Sequence, residues 1–292
     1  MSQRKTFAEI LRGAGVDIEA EYQQLESVFF DCLVEESFGR RKSLYQRIDE
    51  AFLDMDIRGT CISLDGFNNH HGFVYEQDRA GAIVDINELV SFCEYIFNLT
   101  SSYIKLWIDE GDPFDDPSLN YGERYDSAAR ALNQVSRVIE KIGYQPIDDD
   151  GFTVFVEASA AANRVAEMLP DPLSYSVVMY PHNTLKGNVE QKRAILRQLA
   201  NELEPKRDAL AQVDGQVGEN VFFAFNNFGI RHSNLDPKSK CYRADIAGLP
   251  DADLEALYDD LYDLCLLALL RLDTVEGEAR IAAFRKAGKS KM

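Results

Sequence analysis

A chain of 292 residues that is 46% apolar, with seventeen Phe and thirteen Tyr, has the material for a large core and is not a disordered polypeptide. Its 49 acidic against 31 basic residues give a net charge of -18, which opposes non-specific adhesion to nucleic acid or to an anionic membrane. The five cysteines, Cys32, Cys61, Cys93, Cys241 and Cys265, are odd in number and never form a Cys-x-x-Cys pair, so neither a disulfide framework nor a zinc site is signalled.

The N-terminal Met1-Ser2-Gln3-Arg4-Lys5 leads into no apolar signal core. No apolar run reaches the roughly 18 residues of a membrane span, since even Leu261 to Leu272 carries Asp263 and Arg271. The expectation is a soluble cytoplasmic protein with no membrane partner and no cofactor.

Thr6 to Leu11 and Ile18 to Glu36 read as helices, the second with Tyr22, Leu25, Phe29, Cys32 and Leu33 on one face. After Gly39, a helical pattern resumes over Arg40 to Asp54, with Leu44, Ile48, Ala51 and Phe52 inward. Periodicity then fails from Asp56 to Arg79, and Leu64 to Phe73 reads as a Gly- and Asn-rich loop. Its His70 and His71 are metal-ligand types, but no partner follows at ligand spacing. Asp85 to Ile108 has a wide apolar stripe of Leu89, Phe92, Cys93, Ile96, Leu99, Tyr103, Leu106 and Trp107. The acidic Asp109 to Tyr121 reads as a solvated loop, with prolines that spoil a calcium-loop register.

Arg124 to Gly143 is a further helix stopped by its glycine. The period then shortens. Tyr144 to Ile147 and Phe152 to Val156 flank an Asp-Gly turn, the signal of a hairpin. A soft boundary is placed near Gly143, dividing a helical half of unknown role, 1–142, from 143–292. Beyond it come helices from Ala158 to Leu169, Leu173 to Tyr180, Asn188 to about Leu203 and Asp214 to Gly229, and a long one opened by Pro250-Asp251. Asn188 with Gln191 matches a helix cap and its reciprocal partner, and the tail from Ala283 reads as frayed. The fold class is mainly α, a multi-helix bundle with a small β-hairpin near the middle.

The densest chemistry lies in Asn226-Asn227-Phe228-Gly229-Ile230-Arg231-His232-Ser233-Asn234, behind the run Val221 to Phe225, which reads as a buried helix face. Arginine can hold a phosphate with two parallel bonds, and histidine moves a proton near neutral pH. Arg231 and His232 are therefore the catalytic candidates, with Asn226, Asn227 and Asn234 as substrate-binding neighbours. With Lys238, Lys240 and Arg243, Arg231 makes a positive island in an acidic chain. His182 and Lys186, ahead of a helix start at Asn188, form a second candidate anion site.

This order of elements, with Leu185-Lys186-Gly187-Asn188-Val189-Glu190-Gln191-Lys192-Arg193 and Asn226 to Asn234, resembles the C-terminal helical domains of bacterial abortive-infection proteins. Those domains are similar to the HEPN superfamily, many members of which are metal-independent RNases that act as dimers. The resemblance spans roughly Gly143 to Leu272 and implies a HEPN-like bundle, an RNA or nucleotide ligand, and a homodimer. It also implies that Arg231 and His232 carry RNA cleavage, with His232 as acid or base and Arg231 on the phosphate. The sequence departs from the superfamily signature, in which four to six residues separate the arginine and its polar neighbour from the histidine, because Arg231 and His232 are adjacent. The other use of the same residues is structural: Arg231 bonds to carbonyls at helix ends and the asparagines satisfy buried backbone. On that alternative the bundle is a non-catalytic interaction or sensor module for a protein partner.

Overall fold

The computed structural model describes residues 16–35, 40–71, 85–109 and 121–289. It is mainly helical, and its two small antiparallel sheets have two strands each. The chain forms two compact units, Met1–Glu157 and Ala158–Met292. The expected helix at Thr6 to Leu11 and the acidic loop from 110 to 120 lie outside the described residues.

In the first unit, α1 (Ile18–Glu26) starts where the Asp17 side chain accepts the Ala20 N–H, and it buries Tyr22 and Leu25. Helix was expected on to Glu36, but α1 passes into a π-helical turn, Ser27–Asp31, and the chain then extends. The wider turn rotates the following residues off the buried face, so Phe29 is buried while Cys32 and Leu33 are exposed. Two-residue strands β1 (Val34–Glu35) and β2 (Arg41–Lys42) pair next, followed by α2 (Leu44–Ala51). Ser43 and Gln46 close a full capping box on α2.

The stretch expected as loop is in part helical. Helix α3 (Leu64–His71) begins where Ser63 Oγ accepts the Gly66 N–H, and it buries Leu64 and Phe67. Helix α4 (Ile86–Asp109) is capped by Asp85, whose carboxylate takes the N–H groups of Asn87 and Glu88. It packs with α5 (Tyr121–Lys141), and Leu89, Ile96, Leu99, Val135 and Ile139 meet in the core.

Strands β3 (Tyr144–Asp149) and β4 (Phe152–Glu157) form the expected hairpin, turning at Asp150 and Gly151, both with positive φ. The free edge of β4 is closed by α4 side chains. Asn98 accepts the Thr153 N–H and donates to the Thr153 carbonyl, each at 2.7 Å, and Glu94 accepts the Phe155 N–H at 2.7 Å. Polar side chains thus replace the missing third strand. The hairpin belongs to the first unit for that reason, and the units divide after Glu157.

The second unit holds α6 (Ala160–Ala166), α7 (Leu173–Met179), α8 (Val189–Leu203), α9 (Arg207–Val213), α10 (Gly215–Asn227), α11 (Ala244–Ala247) and α12 (Asp251–Lys289). Helix α12 supplies Tyr258, Leu261, Cys265 and Ala268 to the core, facing Leu196 and Leu199 of α8 and Val221 and Phe225 of α10. Tyr180 and Tyr262 stack at 4.0 Å, and the Tyr262 hydroxyl donates to the Val177 carbonyl, which ties α7 to α12. The tail expected to fray stays helical as far as Lys289. Among the described residues no helix is long and apolar enough to cross a membrane.

Candidate functional site

The loop after α10 is held from three sides. Gly229 takes φ 76°, and the chain doubles back so that the Arg231 N–H donates to the Phe225 carbonyl at 3.0 Å. The Tyr258 hydroxyl of α12 donates to the Phe228 carbonyl at 3.0 Å, and Arg197 of α8 donates to the Ile230 carbonyl at 2.9 Å. Arg193, also on α8, donates to the Tyr258 hydroxyl at 3.0 Å. Ile230 then fills the core.

Asn234 is buried and closes the loop. Its Oδ1 accepts the Gly229 N–H at 3.3 Å, and its Nδ2 donates to the Cys241 carbonyl at 2.9 Å. Its own carbonyl accepts the Arg243 N–H at 2.8 Å. Both ends of the amide are therefore committed to backbone. Asn227 donates to the Phe223 carbonyl and accepts from Arg243 Nη1 at 2.7 Å, while Asn226 is half-buried on α10.

Arg231 and His232 part company. The Arg231 side chain, 19% exposed, forms an ion pair with Glu204 and donates from Nη2 to the Ala200 carbonyl at 3.1 Å. Its guanidinium lies 5.7 Å from the Phe225 ring centroid. It thus joins the end of α8 to the loop, as in the structural use of this residue. Hydrogen bonding from Arg207 holds the Glu204 carboxyl below its ordinary range; burial opposes this, and Arg231 adds to the lowering. His232 is exposed. In the positive island Lys238 and Lys240 are exposed, while Arg243 pairs with Asp245 at 2.6 Å.

The second candidate divides as well. His182 is buried, and its Nδ1 caps a short helical turn by accepting the Thr184 N–H at 3.3 Å, 2.8 Å from Thr184 Oγ1. Lys186 is exposed. Ahead of α8 a carboxylate of the chain itself is already in place: Glu255 accepts the Gly187 N–H at 2.9 Å and pairs with the buried Lys192 at 2.8 Å. The Asn188 side chain caps α8 through the Gln191 N–H as expected, but the Asn188 N–H goes to the Leu185 carbonyl. A cavity of about 290 Å³ opens beside this helix start, lined by Asn188, Glu190, Arg193, Leu235, Ile246 and Asp251 among others.

Two residues that the sequence reading missed shape this surface. Glu204, the ion-pair partner of Arg231, left no local signal, because the pairing is tertiary. Phe223 was placed on a buried face, yet it is 56% exposed and meets the Phe228 ring edge-on at 6.2 Å. Five consecutive residues on a helix turn through more than a full circle, so one of Val221 to Phe225 had to face outward. His70 and His71, exposed on α3, have rings 5.0 Å apart, and the described residues contain no group of three or more His, Cys, Asp or Glu suited to a metal ion.

Comparison with protein-family models, with curated proteins and with solved structures gives no match to this chain.

Proposed function

We propose that Ala158–Met292 is a HEPN-like helical bundle of a cytoplasmic bacterial defence protein, working as a non-catalytic protein-interaction module and not as an RNase. The defence setting and the bundle's kinship rest on the resemblance carried by Leu185 to Arg193 and Asn226 to Asn234. The observation that carries the module reading is the engagement of Arg231 by Glu204 and the Ala200 carbonyl. A phosphate approaching this guanidinium would meet the Glu204 carboxylate already paired with it, and the Arg231 side chain is only 19% exposed.

The end of α10 instead offers the exposed Phe223 beside Phe228 of the loop, with Arg243 bonded to Asn227 next to them. Exposed aromatics with a nearby arginine are what protein interfaces concentrate their energy in. Exposed Lys238 and Lys240 add a positive rim, which fits a partner with an apolar anchor and acidic neighbours.

The test has two arms. Titrating labelled single-stranded RNA by fluorescence anisotropy at physiological salt should show no saturable binding. Cross-linking in native extract should join Lys238 or Lys240 to a protein, and the adduct should vanish in Phe223→Asp. Saturable RNA binding that His232→Ala weakens would overturn the reading in favour of an RNA or nucleotide ligand.

A further inference from the structure

The last helix carries a stripe whose large apolar residues Leu267, Ile281 and Phe284 are exposed. On α12, Leu267, Leu270, Thr274, Gly277, Ile281 and Phe284 follow at alternating steps of three and four, the spacing of a two-helix seam. Leu270 is partly buried against the bundle and Leu267 is exposed. Ile281 is 61% and Phe284 84% exposed, and every side chain from Arg280 to Arg285 is open to solvent. Large apolar groups held in water on a regular helical stripe mark a surface meant to be covered.

The charges beside the stripe select both the occupant and its direction. Lay a second copy of the helix antiparallel, with Thr274 against Gly277 of the second copy. Leu270 then meets Ile281 of the second copy and Leu267 meets its Phe284, each contact occurring twice by symmetry. In this register Arg271 faces Glu278 of the second copy and Asp273 faces its Arg280, so every flanking ion pair joins opposite charges. A parallel pairing would set Asp273 against Glu278 and Arg280 against Arg285, both like-charged. The small Thr274 and Gly277 at the centre let the two backbones approach closely.

We propose that this part of α12 is a self-association face that pairs two copies of the chain antiparallel through the Leu267-to-Phe284 stripe. Arg271 and Asp273 keep their internal neighbours, since Arg271 lies 3.4 Å from Asp214 and Asp273 accepts from Arg164 at 3.1 Å. A guanidinium has five donors and a carboxylate about four acceptor sites, so each can serve a second partner. The proposal does not depend on how the Arg231 loop is read.

Sedimentation velocity of the full chain over a micromolar concentration series tests it. Wild type should pass from monomer to dimer, and Ile281→Asp and Phe284→Asp, both at exposed positions, should stay monomeric with unchanged helical circular dichroism. Arg271→Glu and Glu278→Arg should each weaken the dimer on the order of tenfold, because each places like charges across the seam twice. Mixing the two variants restores opposite charges at both places, so a mixed dimer should form more tightly than either variant alone. A wild type that stays monomeric, a dimer indifferent to Ile281→Asp, or a mixture no tighter than its components would overturn the proposal.

Discussion

The guanidinium of Arg231 donates to the carbonyl of Ala200 at 3.1 Å, so a residue with the chemistry of a phosphate ligand completes the end of a helix instead. The Ala200 carbonyl already takes the Glu204 N–H, so the guanidinium adds a second, charged donor there, and its charge complements the negative end of the helix dipole. Glu204 balances the charge. Arg231→Ala should therefore destabilise the second unit by about 1–3 kcal/mol, since it removes a charge-assisted bond and the ion pair to Glu204. Arg231→Lys should recover only part of that, because an ammonium lacks the planar fork. Urea unfolding followed by circular dichroism measures both; equal stability in all three proteins would show that the guanidinium is not a clamp.

Asn234 is the other closure of the loop. Its amide satisfies one backbone donor and one backbone acceptor inside the protein, at Gly229 and Cys241. Asn234→Ala leaves both without that partner and should cost about 2–3 kcal/mol. Asn234→Asp keeps the acceptor for Gly229 but loses the donor to Cys241. Hydrogen exchange should speed up from Phe228 to Arg243 in both variants, and unchanged protection there would count against this role.

Two glycines with the same φ of 76° should respond differently to alanine. At Gly229 an added Cβ would stand 2.9 Å from Leu235 Cγ, whereas at Gly187 nothing lies within 4 Å. Gly187→Ala should cost about 1 kcal/mol, the price of a left-handed backbone with a side chain. Gly229→Ala should cost more, about 2–3 kcal/mol, because Leu235 must also shift. Melting temperatures of the two variants in parallel would settle the order.

Beside the loop, hydrogen bonding from Arg243 holds the Asp245 carboxyl down at about 2, against an ordinary value of 3.8. A depressed acid contributes stability that is complete above its ordinary value and is lost as the pH falls toward the folded value. The Arg243–Asp245 pair should thus persist through pH 3.8 and dissolve only near pH 2. Carboxyl carbon shifts recorded by NMR during acid titration give the midpoint directly. Arg243→Ala should bring it back toward 3.8, and a wild-type midpoint already at that value would contradict the pairing.

The fold could be read from sequence where one period ran long enough. Leu89 through Tyr103 repeat the helical spacing, and α4 lies there with those residues buried. Asp150-Gly151 named its turn, since both residues take the positive φ that such a hairpin needs. Short elements hid behind polar composition. Helix α3 buries only Leu64, Phe67 and Asn68, and its signals were Ser63 as cap and an apolar step of three. Helix α9 buries only Leu210, too little for a pattern. The candidate loop was visible as a cluster of polar groups. Its wiring was not, because Arg231 finds Glu204 and Ala200, and Asn227 finds Arg243, only once the helices are packed.

The direct test of the central claim, that this loop is built for structure and docking and not for cleavage, is RNA turnover without metal. Purified wild type and His232→Ala are each incubated in excess with end-labelled RNA in the presence of EDTA, and the products are resolved on a sequencing gel. The account predicts the same background in both lanes over the full time course. Discrete cleavage by wild type that disappears in His232→Ala, with the variant's fold intact, would contradict it.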